Sequence, residues 1–281
     1  MLLMLRLLAI ALLLSSVSYA KGDTTKIEDF LDSEFAKNKQ IESFDAKVVE
    51  KKALKNVKNW YGYIIDVKAV VKARPKNRTI HQKMIWFSDG NVVTADLKDL
   101  QSGESLKKSV RPKLRDKYYK NEYLIYGNKN AKHKVAIFSD PMCPFCREFT
   151  PPALEYMKKY PNEFAVYFFH LPLPRIHQAS PTLVKAAIAA ELKGVNEVVA
   201  KLYRVDAKIL HETDVKKILA AFNKTVGTHI TERDLKSPKV LKIYQEGLDI
   251  ATDLMVRGTP TVYLDGEIDM TKSKYKKVKI K

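Results

Sequence analysis

Among 281 residues there are only 2 cysteines, 10 glycines and 12 prolines. Two cysteines cannot staple a disulfide-dense scaffold, and so little glycine and proline excludes a collagen-like or low-complexity chain. Beyond the first 20 residues no apolar run is long enough to span a bilayer, no internal repeat is visible, and no arginine-rich block is interleaved with aromatics. Acid is the scarce charge: 50 Lys and Arg stand against 32 Asp and Glu, for a net charge of +18. The lysines are scattered with acids among them, so the excess reads as a solvated basic surface and no nucleic-acid site is expected. What is plentiful is apolar side chain, 46% of the chain, enough for a core in one large domain or two small ones.

The chain opens MLLMLRLLAIALLLSSVSYA, with one cation at Arg6, an apolar run from Leu7 to Leu14, and then Ser18-Tyr19-Ala20. Small residues at both positions read by a signal peptidase, after a run too short for a membrane span, predict a cleaved secretory signal over residues 1–20. No cysteine follows the run to carry a lipid anchor.

Thr25-Lys26-Ile27-Glu28 fits a capping box, opening a helix with Ile27, Phe30, Leu31 and Phe35 on one face. From Ile41 the pattern becomes extended. Ile65, Val67, Ala69 and Val71 alternate, while Lys83–Phe87 and Asn91–Leu97 flank Ser88-Asp89-Gly90, a hairpin signal. After Gln101-Ser102-Gly103, Leu106, Val110, Leu114 and Tyr118 recur every four residues among basic side chains. That spacing predicts a linker helix over residues 103–120, kinked or split at Pro112. The expected domains are therefore residues 21–102 and 121–281.

The second half alternates strand and helix. Val135–Ser139 and Glu163–Phe169 read as strands around a helix that starts near Cys143, a βαβ unit. Helices follow over Thr182–Leu192, with Ser180 as N-cap, then around Val215–Phe222, and after Ser237-Pro238. Asp265-Gly266 predicts a closing hairpin between Thr261–Leu264 and Glu267–Asp269.

Chemistry concentrates at Cys143-Pro144-Phe145-Cys146, directly after a strand and opening a helix. A helix N-terminus offers unpaired N–H groups and positive potential that stabilise a thiolate. Cys143 is therefore expected to be an exposed nucleophile, and Cys146, one turn in, the resolving thiol. A structural zinc site would have to recruit two of six unpaired His, and a static disulfide closing so small a loop would add little stability. Neither matches the placement as well as a redox pair, so no metal and no cofactor beyond a Cys143–Cys146 disulfide is expected. Thr259-Pro260, after a helix and before a strand, is expected to be cis, as in the loop beside the Cys-x-x-Cys helix of thioredoxin-like folds. Asp140 reads equally as a modulator of the thiols or as a turn opener. His170 and His177 read as solvated or capping residues, and Trp60 and Trp86 as core.

The run from Val135 to Cys146, VAIFSDPMCPFC, together with Arg257-Gly258-Thr259-Pro260-Thr261, resembles the DsbC/DsbG-type and DsbA-type periplasmic thiol-disulfide oxidoreductases. The resemblance covers nearly the whole chain after the leader. It implies an α+β two-domain fold: an N-terminal cystatin-like dimerisation domain, a linker helix, and a C-terminal thioredoxin-like α/β domain with a helical insertion. By the same resemblance Cys143 and Cys146 are catalytic, Pro144 and Phe145 form the active-site dipeptide, and Thr259 and Pro260 form the substrate-binding loop. Implied partners are exported cysteine-containing client proteins, a second copy in a homodimer, and a DsbB-type or DsbD-type membrane recycling partner, all in the periplasm. Three departures stand out. The buried acid that thioredoxin and DsbA carry six residues before the nucleophile is Ile137 here, so proton transfer must come from elsewhere. Phe145 stands where DsbA-type enzymes have His, and DsbC's second cysteine pair is missing. Little chain follows the last strand, and Lys272–Lys277 is expected to fray. The function implied is oxidation or isomerisation of client disulfides. The alternatives are DsbG-like reduction of oxidised cysteines and a redox-independent holdase.

Overall fold

The computed structural model describes residues 18–55 and 57–280, so the leader read at residues 1–20 lies, apart from its last three residues, outside the described residues. The chain divides into two compact units, Met1–Pro112 and Lys113–Lys281.

In the first unit, helix α1 (Ser18–Ala36) covers one face of an antiparallel meander. The strands are β1 (Ile41–Ala53), β2 (Tyr61–Val71), β3 (Arg78–Ser88) and the short β4 (Val93–Thr94), in that order. Alternation along β2 sends Tyr63, Ile65 and Val67 toward Ile27 and Leu31 of α1, and all five are buried. The capping-box reading is corrected: α1 begins before Thr25, and Glu28 instead reaches across to accept a hydrogen bond from the Val48 backbone N–H at 2.7 Å. β1 is an edge strand, and this bond occupies one of its amides. The return strand expected over Asn91–Leu97 shrinks to two residues. Asp89 accepts from the amides of Asn91 and Val92, both at 2.9 Å, and so takes donors that a ladder would need. The Arg74–Pro75 bond is cis, which the sequence reading did not anticipate.

No continuous linker helix occupies residues 103–120. One turn, α2 (Lys107–Val110), ends at an extended Arg111, and single 3-10 turns follow at Asp116–Tyr118 and Asn121–Tyr123. Pro112 is the physical reason, since it pushes the preceding residue out of helical backbone and supplies no N–H.

The second unit is built on a five-stranded sheet in the order β5-β7-β6-β8-β9. β5 is Leu124–Tyr126 and β6 is His133–Ser139; helix α3 (Pro144–Lys158) returns the chain to β7 (Phe164–His170), parallel to β6. Four helices then intervene before the last long one: α4 (Ser180–Leu192), α5 (Val198–Leu202), α6 (Val215–Val226) and α7 (Glu232–Leu235). Helix α8 (Pro238–Asp253) leads to the antiparallel pair β8 (Thr261–Leu264) and β9 (Glu267–Ile268). Asp265 and Gly266 both take positive φ at the hairpin tip.

Both faces of this sheet are covered. Val135 and Ile137 pack with Leu154 and Met157 of α3, whereas Ala136 and Phe138 pack with Ile250 and Ala251 of α8. That is why β6 and β7 read as nearly continuous apolar runs. The lysine-rich segment near the end does not fray: Tyr275 is buried edge-on against Tyr156 and Phe149, and the Lys274 amide donates to Asp269 at 2.8 Å. Ser180 is not the cap of α4. Ala179 holds that position, and the Ser180 hydroxyl turns inward to Asp140.

Candidate active site

Cys143 is the N-cap residue of α3 and Pro144 its first helical residue, a position where the missing proline N–H costs nothing. Cys146 therefore lies one turn inside. Both are free thiols in this structure. Cys146 is fully buried, but Cys143 is only 5% exposed and not the open nucleophile expected. The chain itself closes over it: the Cys143 thiol donates to the backbone carbonyl of Thr259 at 3.6 Å, and the Thr259–Pro260 bond is cis.

Burial pushes the Cys146 thiol up to about 12, a rise to which the neighbouring Cys143 adds. Three groups pull the other way: the hydroxyls of Ser139 and Thr259 and the backbone amide of Asp140. The Thr259 hydroxyl is buried with no partner besides this sulfur, whereas Ser139 belongs to a buried trio of hydroxyls. Tyr203 donates to Ser139 Oγ at 2.5 Å, and Thr150 Oγ1 lies 3.1 Å from the same oxygen. None of Ser139, Thr150 and Tyr203 was singled out from the sequence. The available signal was a serine ending an otherwise apolar buried strand.

Asp140 is fully buried and accepts four hydrogen bonds, from the amides of Met142 (2.8 Å) and Leu173 (2.7 Å), Ser180 Oγ (2.6 Å) and His177 Nδ1 (2.9 Å). Its carboxylate is thus occupied in tying the cysteine loop to the start of α4, and only its backbone amide faces a thiol. His177 is corrected from a solvated to a buried residue by this pairing. His170 is corrected as well. Both its ring nitrogens are buried without partners, and burial holds its pKa down to about 4.

Outside the cysteines, Phe145 is 72% exposed and borders a groove of about 510 Å³ whose apolar lining includes Phe149, Pro152, Pro260 and Tyr275. Glu148, Lys272 and Lys276 form its charged rim. Among the described residues no cluster of three His, Cys, Asp or Glu is placed to hold a metal, and no helix is long and apolar enough to cross a membrane.

The second unit thus sets a βαβ unit with a Cys-x-x-Cys helix start against a cis-proline loop before an antiparallel strand. Residues 120–280 match the Thioredoxin_4 family model, described as thioredoxin. The chain belongs to the thioredoxin family. Among solved structures, a thioredoxin-like oxidoreductase from Silicibacter pomeroyi is similar over 56% of this chain and 90% of its own, at 20% identity and a TM-score of 0.47. A periplasmic thioredoxin-like protein from Salmonella enterica serovar Typhimurium is similar over 54% of this chain and 82% of its own, at 23% identity and a TM-score of 0.44. BdbD from Bacillus subtilis is similar over 59% of this chain and 91% of its own, at 15% identity and a TM-score of 0.42. A putative protein-disulfide isomerase from Pseudomonas syringae is similar over 54% of this thioredoxin-family chain and 95% of its own, at 17% identity and a TM-score of 0.46. No curated protein sequence matches it.

Proposed function

We infer that this thioredoxin-family protein exchanges disulfides with exported client proteins, oxidising or isomerising them at Cys143 and Cys146. The observation that carries this reading is the Cys143 sulfur at the start of α3, against the Thr259 carbonyl, with Cys146 buried one turn behind it. In oxidation, a client thiolate attacks the Cys143 sulfur of the Cys143–Cys146 disulfide, and Cys146 leaves as a thiolate that takes up a proton. A second client thiolate then attacks the client sulfur of the mixed disulfide and releases Cys143. Two electrons pass from the client to the pair. In isomerisation, the Cys143 thiolate attacks a client disulfide and the freed client thiol later displaces it, with no net electron transfer. The apolar groove bordered by Phe145 and Pro260 offers a surface for the client chain on either side of its cysteine.

Export through a cleaved leader, work in the periplasm, pairing of two copies through the first unit, and recycling by a DsbB-type or DsbD-type membrane partner belong to the same reading. They are supported by the DsbC/DsbG-like and DsbA-like motifs at residues 135–146 and 257–261. Cys146→Ala tests the central claim, because a mixed disulfide formed at Cys143 can then be released only by a client thiol and no longer by the neighbouring cysteine. Cells carrying this variant should accumulate covalent client adducts that disappear on reduction and in the Cys143→Ala, Cys146→Ala double variant. If no reducible adduct forms, the reading is wrong. Acid quenching and thiol alkylation of the native protein in cells then separates the two directions: a mainly oxidised pair marks an oxidant, a mainly reduced pair an isomerase or reductase.

A further inference from the structure

We propose that the Ser139 hydroxyl, set by Tyr203 and Thr150, stabilises the Cys146 thiolate while it resolves the mixed disulfide. The proposal rests on the disulfide-exchange reading above.

The geometry is specific. Ser139 is the last residue of β6 and is fully buried. Thr150 lies four residues after Cys146 on α3, hence on the same helical face and one turn further in. Tyr203 follows α5 and is 5% exposed. Its O–H is spent on Ser139 Oγ, since burial pushes the phenol further above its ordinary range and keeps it a donor. Ser139 then holds one proton of its own, which can point to Thr150 or to the Cys146 sulfur that it faces. Against a neutral thiol that choice matters little. Against a thiolate, Tyr203 and Ser139 become a polarised chain of two O–H donors ending on the negative sulfur, and hydrogen bonds to charged groups are the strong ones.

Resolution needs such help because the thiol sits in an apolar surround with Val135, Ile137, Leu154 and Phe168. In the step itself, Cys146 loses its proton, its sulfur forms a bond to the Cys143 sulfur, and the bond from Cys143 to the client sulfur breaks. The electron pair leaves with the client, which gains the proton that Cys146 gave up, so the hydroxyls are neither oxidised nor consumed. The titratable and charged groups around the thiol are Cys143 on its own helix, Tyr203, and the Asp140–His177 pair. Arg147 on the outer side of α3 is anchored to the carbonyls of Pro141 and Val205, at 3.1 and 2.7 Å.

The test uses the reduced full-length protein and 5,5′-dithiobis(2-nitrobenzoate). Reaction at Cys143 releases one nitrothiobenzoate, and attack by Cys146 on the resulting mixed disulfide releases a second. In Ser139→Ala the second release should slow about tenfold near neutral pH, and the midpoint of its pH profile should rise by about one unit, while the first release is unchanged. Tyr203→Phe, which keeps the ring and removes one oxygen, should move the midpoint in the same direction by a smaller amount; Ser139→Thr should restore it. An unchanged midpoint in Ser139→Ala overturns the proposal, and if that variant does not fold, an unchanged midpoint in Tyr203→Phe does so. Failure of the native protein to make a second release that Cys146→Ala abolishes would instead count against the disulfide-exchange reading.

Discussion

β2 in the first unit and β6 in the second are both central strands, but they meet their surroundings differently. β2 has α1 on one face; its other face is covered at Gly62, where Val110 packs, and at Ile64, but is open over Asp66–Ala69, where partly exposed or exposed polar residues alternate with buried apolar ones. β6 is covered on both faces, and each residue from Val135 to Ser139 is at 0% exposure. In a strand covered on one face, a polar residue is the ordinary outward position and says nothing about chemistry. In a strand covered on both faces, a polar residue has no solvent to face, must find internal partners, and so marks a place where the fold has spent a buried polar group. Ser139 is that residue, and it stands four positions before Cys143.

If this difference sets the chemistry apart, the largest effect belongs to Cys143→Ala. Exchange with a model disulfide should fall to the uncatalysed rate because the nucleophile is gone. Leu31→Ala in the first unit should leave the rate per folded molecule unchanged, and a fall comparable to that of Cys143→Ala would erase the distinction between the units. Next in size is stability. Phe138, stacked on Phe169 at 4.6 Å and fully buried, should cost about 3–5 kcal/mol as Phe138→Ala. Leu31→Ala should cost about 2–5 kcal/mol, with the loss confined to the unfolding transition of the first unit. Denaturant unfolding followed by hydrogen exchange of each unit checks both.

Gly127→Ala probes how closely the second unit's backbone is packed. Gly127 has φ +80°, and a Cβ there would sit 1.8 Å from the carbonyl oxygen of Phe164. The left-handed conformation alone should cost about 1–3 kcal/mol, with the clash added to it, and a thermal melt should show the drop. The smallest net effect is a pH response. His170 is held near 4 against an ordinary 6.5, so the unfolded chain binds more protons between those values. The neutral ring's contribution is complete above about 6.5 and is lost as pH falls toward 4, with a ceiling of about 3 kcal/mol. Glu191, in the same cavity and partly exposed, is raised to about 7 by burial and opposes it, its contribution being lost as pH rises from 4.5 toward 7. Stability should therefore vary little with pH in the native protein and rise with pH between 4 and 6.5 in Glu191→Gln. A flat profile in that variant would show that the His170 ring finds a polar partner.

Local order was legible wherever it depends on neighbours in sequence. The apolar runs of β6 and β7, the helix start at Cys143-Pro144, the Asp265-Gly266 turn and the Ser237-Pro238 opening of α8 could all be read within a residue or two. The linker helix failed because a four-residue apolar spacing persisted across Pro112, which the backbone could not follow. His170 and His177 were misplaced because Pro172 and Pro174 look like a surface loop and no carboxylate is spaced near either in sequence, while both rings are turned inward.

By itself, then, the sequence determined the Cys-x-x-Cys pair, its seat at the head of a helix after a buried strand, and the proline loop that lies beside it, since each is encoded within a few residues. Only the tertiary structure decided that Cys143 is nearly covered, that Asp140 is a four-way anchor, and that Ser139, Thr150 and Tyr203 share one cluster. Apart from the Met142 amide on Asp140, those contacts join residues 11 to 116 positions apart, and they arise from the burial of polar groups that must find partners once water is gone, a requirement that local spacing does not reveal.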